Sequence, residues 1–146
     1  MNKERKALKE NSLLILVFAA ISLARIIVET CGYAFGFKTI AIEGVSQDLV
    51  KIGVIVFFII SLLLLAPNAY VGFKGIKEAN NPTSARAHIV WALILAIISV
   101  LGLISGVVEL IRNFNVGQLL FVLDVVVDTL LFYAYYLTAK KVVAQN

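Results

Sequence analysis

Four apolar stretches, covering residues 12–36, 48–70, 88–112 and 116–138, constrain this chain more than any motif does. Each meets the requirement of about 20 predominantly apolar residues for a helix that crosses a bilayer. The chain has 146 residues, 61% of them hydrophobic. Soluble domains of this size rarely exceed about 50%. The pattern predicts an all-α integral membrane protein: a four-transmembrane-helix bundle of two αα-hairpins, forming a single membrane domain over residues 1–146.

The first stretch has a charged head, "MNKERKALKENS", as a secretory leader would. Its apolar part continues past Arg25 to Gly36, longer than a leader's core, and no small-x-small cleavage pattern follows a short run. A retained first helix is expected.

Basic residues set the expected orientation, because cytoplasmic loops carry the excess of Lys and Arg. One side of the four spans receives Lys3, Arg5, Lys6, Lys9, Lys74, Lys77, Arg86, Lys140 and Lys141, and the other Lys38, Lys51 and Arg112. Both termini and the loop after the second span should therefore be cytoplasmic, with Trp91, Tyr70, Tyr133, Tyr135 and Tyr136 near that interface. The expected location is the plasma membrane of a bacterium. A weak internal repeat, "AYVGFKGIKEANN" against "AYYLTAKKVVAQN", is compatible with two parallel hairpins.

Small and charged residues share helix faces. Ala92, Ala96, Ser99, Gly102, Gly106 and Glu109 recur every three or four positions, and so do Ala19, Ser22, Arg25, Glu29, Gly32 and Gly36. Small residues allow close backbone approach where lipid cancels the hydrophobic drive between helices. Gly32, Gly36, Gly102 and Gly106 are thus expected to pack helices. Asp124 and Asp128 lie on the same face of the fourth span as Gly117 and Tyr135.

Charges at membrane depth are costly unless paired or wetted. By helix rise, Arg25 and Asp128 fall near the midplane, with Glu29 and Asp124 about 6 Å outward and Glu109 near the outer rim. Arg25 should pair with Asp128 or Asp124. Three inner acids against one base then leave a carboxyl that either holds a proton or meets a cation or water.

Catalytic and cofactor chemistry finds no support. Cys31 and His88 are the only residues of their types, so neither a disulfide within the chain nor a Cys/His zinc set can form. Phosphate-loop and nucleophile patterns are missing. No enzyme activity, cofactor or nucleic-acid partner is expected; whether a metal binds is left open. Basic charge reads as topology, since no soluble basic surface exists to hold phosphates. The expected function is a small transporter or channel-like protein handling a cation or proton through Glu29, Asp124, Asp128 and Glu109, with Arg25 as counter-charge. The rival is a non-catalytic accessory or assembly subunit whose charges lock helix contacts. Besides the lipid bilayer, the expected partner is a second copy or a larger membrane complex.

Overall fold

A computed structural model describes residues 2–145 as four helices: α1 (Lys3–Ala34), α2 (Gln47–Asn80), α3 (Ala87–Arg112) and α4 (Val116–Ala144). All four are long and apolar enough to cross a membrane. The fold is all-helical, as the apolar periodicity predicts.

Three helices run further than the apolar stretches. α1 begins at Lys3, α2 continues to Asn80 and α4 to Ala144. The additions, such as "KERKALKE", are rich in strong helix formers. Hydropathy measures what suits lipid, not where a helix stops.

Side chains close the helix starts. The Asn2 side chain accepts from the Arg5 N–H at 2.9 Å, Ser46 from Leu49 at 3.4 Å and Asn115 from Gln118 at 2.8 Å. Each satisfies one orphan donor of a first turn. At the other end of α1, Gly36 takes φ +75°, the left-handed geometry that ends helices. α2 gives way at Asn81 and Pro82, the Asn-Asn-Pro punctuation of the sequence. Pro67 stands inside α2, where it has no N–H to give to the carbonyl four residues back.

α1 packs chiefly on α2 and α3 on α4, and the hairpins join mainly through α1 and α4. Both chain ends and the α2–α3 connection meet at one end of the bundle, called here the basic end. There the Asn2 amide donates to the Gln145 side chain at 2.7 Å. The Arg5 guanidinium donates to the carbonyl oxygen of Ala79 at 2.7 Å and to that of Asn80. Much of the core also lies at this end, including Leu8, Val71, Ala79, Tyr135, Ala139 and Val142. Every buried residue of α2 falls between Val71 and Ala79.

Candidate functional site

Arg25 on α1 and Asp124 on α4 form an ion pair across the seam between the hairpins, with Nη1 and Oδ2 3.3 Å apart. Counting about 1.5 Å per residue from the far ends of their helices, both lie roughly 12–14 Å in, a depth that in a hydrocarbon layer about 30 Å thick would be near its middle. The side chains are 58% and 35% exposed on the surface of the single bundle. Asp128, one turn along the same helix, is half-buried and has no ion-pair partner among the described residues. Of the two aspartates, one is held by the guanidinium and the other is left open.

The remaining acids go elsewhere. Glu29 is exposed and lines a cleft of about 480 Å³ between α1, α2 and the connection 35–46, together with Thr30, Tyr33, Leu49 and Phe57. It has no hydrogen-bonding or ionic partner among the described residues. Glu109 accepts from the Asn113 side-chain amide at 2.9 Å, which fastens the end of α3. The three inner acids are thus divided between the α1–α4 seam and the α1–α2 cleft, while Glu109 lies at the rim, where its depth in the sequence places it.

The glycines divide too. A Cβ on Gly106 would stand 3.0 Å from the Phe121 ring and 3.2 Å from Val122, and one on Gly102 would stand 3.7 Å from Val125, so both face α4. Gly32 and Gly36 do not pack helices. Gly32 meets the Lys38 side chain, and Gly36 lies beyond the end of α1 with open space around it. The stripe extended from the first span assumed a helix that ran past Ala34.

A second polar group lies at the basic end and was not among the expected site residues. Ser12, Glu78, His88 and Tyr135 are all 0–1% exposed. The Glu78 carboxylate accepts from the Thr83 N–H and hydroxyl, both at 2.6 Å, and pairs with Lys74 at 3.3 Å. Burial pushes its pKa up, but the Thr83 hydrogen bonds and the Lys74 ammonium outweigh this and hold it below the ordinary value. Tyr135 lies at the end of the bundle expected of it but faces inward, and both it and His88 are sealed inside the bundle. Neither ring nitrogen of His88 nor the Tyr135 hydroxyl finds a hydrogen-bond partner among the described residues. Burying such groups unbonded is expensive. The one hint in the sequence is the Lys74/Glu78 pair at i, i+4 beyond the second apolar stretch.

Gly72 and Gly75 make this closeness possible. A Cβ on Gly72 would come within 2.6 Å of Leu16, and one on Gly75 would collide with Ser12 and the Tyr135 ring. Among the described residues, no group of three or more His, Cys, Asp or Glu side chains is placed to hold a metal ion. Comparison with family models, curated proteins and solved structures returned no match to this chain.

Proposed function

We propose that this chain is a multi-pass protein of a bacterial plasma membrane, with both termini cytoplasmic, that works as an oligomer and passes a proton or small cation along the α1–α4 seam. The half-exposed Arg25–Asp124 pair carries this reading. A charge pair facing hydrocarbon is costly, and charged side chains at this depth face a bundle interior, another subunit or water. A second copy or an aqueous path would complete the seam. Asp128, free of a counter-ion, is the carboxylate able to exchange a proton or accept a cation, while Arg25 is occupied as the counter-charge of Asp124. Flux from purified protein in liposomes under a pH gradient tests this. Asp128→Asn should abolish pH-dependent flux while the oligomer stays intact; inert wild-type protein across a panel of small cations would refute transport.

The same exposure favours a second reading, in which the pair fastens the chain to another membrane subunit and no ion moves. Under it, wild-type protein gives no flux, and Asp124→Asn changes oligomer size or recovery of the partner.

A further inference from the structure

At the basic end, on the hairpin that does not carry the Glu29 cleft, α3 and α4 leave a groove of about 390 Å³. This is within the roughly 300–1,000 Å³ of ligand sites. Arg86 and Lys140 supply its charges and no acid lines it. The rest of the groove is largely aliphatic, chiefly Ile89, Val90, Leu93 and Val143. Neither basic side chain has an ion-pair or hydrogen-bonding partner among the described residues; the Lys140 ammonium stands 6.0 Å from the centre of the Tyr136 ring.

The residues are ordered by depth. Arg86 lies just before α3 at the rim, and Ile89, Val90 and Leu93 follow towards the middle of the helix. Arg86 to Leu93 spans about 10 Å at helix rise. Cationic groups outside and an aliphatic wall inside match an anionic head above an acyl chain. Basic pockets between membrane helices at a cytoplasmic surface take anionic lipid heads for this reason.

We infer that the α3–α4 groove is a binding site for one anionic glycerophospholipid, its phosphate held by Arg86 and Lys140 and an acyl chain laid along Ile89, Val90 and Leu93. The groove lies away from the α1–α4 seam, so the site stands whether or not that seam conducts.

Trp91, the single tryptophan, is partly exposed beside Val90 and serves as a built-in reporter. The full chain in detergent micelles is titrated with phosphatidylglycerol brominated on its acyl chains, or with phosphatidylcholine brominated in the same way. Quenching by the anionic lipid should saturate at a mole fraction at least tenfold lower than quenching by the zwitterionic one. Arg86→Gln with Lys140→Gln should remove that preference, and Arg86→Lys with Lys140→Arg should keep most of it. Val90→Phe, which narrows the groove and spares both bases, should weaken quenching by the anionic lipid and provides an independent check should the Gln pair fail to fold. Inorganic phosphate at matched concentration should not relieve the quenching. Equal quenching by both lipids, a preference that survives loss of both bases, or relief by free phosphate would each overturn the inference.

Discussion

His88 and Tyr135 meet edge to face, with ring centroids 6.0 Å apart and planes 87° apart, and their polar atoms are sealed without partners among the described residues. A buried hydroxyl that makes no hydrogen bond gives nothing back for its lost hydration. Tyr135→Phe keeps the ring and removes that hydroxyl. Its unfolding free energy in detergent should match the wild type or rise, by up to about 1 kcal/mol. A clear loss would mean that the hydroxyl binds a water or ligand between these rings.

Gly75 and Gly53 separate two roles of glycine on one helix. Gly75→Ala drives a methyl into Ser12 and Tyr135. It should destabilise by about 1–3 kcal/mol, as overpacked cores do. A Cβ on Gly53 would meet no atom within 4 Å, so Gly53→Ala should gain roughly 0.5–1 kcal/mol from helix propensity alone. Thermal unfolding of both variants checks the contrast, and equal effects would refute the packing assigned to Gly75.

Removing half of the seam pair should hurt more than removing all of it. Arg25→Leu strands Asp124 beside the open Asp128, whereas Arg25→Leu with Asp124→Leu leaves one fewer unpaired acid. The double-mutant cycle should show a coupling on the order of 0.5–3 kcal/mol, read from unfolding in micelles. Additive losses would mean that the pair contributes nothing where both side chains are partly solvated.

Glu78 predicts an acid-sensitive fastening. Its pKa in the folded chain lies below the ordinary 4.5, so the unfolded chain takes up the proton first. The stabilisation is complete above the ordinary value and is lost as pH falls through the lowered one. Glu78→Gln should be less stable than the wild type at neutral pH, and the difference should shrink below about pH 4.5. Unfolding midpoints of both proteins across that interval decide it; a constant difference would show that the carboxylate charge is irrelevant.

Orientation is open to direct labelling. In a Cys31→Ser background, Thr83→Cys should be protected from an impermeant reagent added outside intact cells, and Lys38→Cys should react. The reverse pattern would invert the proposed topology, while the shared end of the termini and the α2–α3 connection would stand.

The four helices were legible because the sequence holds four apolar runs of the length that a bilayer-spanning helix needs. The Arg25–Asp124 pairing was legible as one of two alternatives, since matching depth leaves a midplane guanidinium few partners. The packed end was not. Ser12, Gly75, Glu78 and His88 lie at or outside the edges of the apolar stretches, where hydropathy carries no information about contact. Within the stretches, outward-facing and helix-facing side chains are equally apolar, so Ile and Leu do not reveal which face packs. Gly36 misled for a related reason, since periodicity extends a stripe without regard to where the chain turns left-handed after α1; Gly32 lies within α1 but meets the Lys38 side chain of the following connection.

No residue of α2 before Val71 is buried, and Pro67 interrupts the ladder just below that boundary. α2 therefore resembles a mast stepped at its foot, its upper length resting on α1 without burying a residue. A helix whose apolar length differs from the local hydrocarbon thickness adjusts by tilting, at a modest cost. Leaning α2 away from α1 widens the cleft that contains Glu29, and drawing it in narrows it. In the membrane setting proposed above, bilayer thickness would then act mechanically on the shape of that cleft, with Pro67 at the junction between the anchored and the exposed lengths of α2.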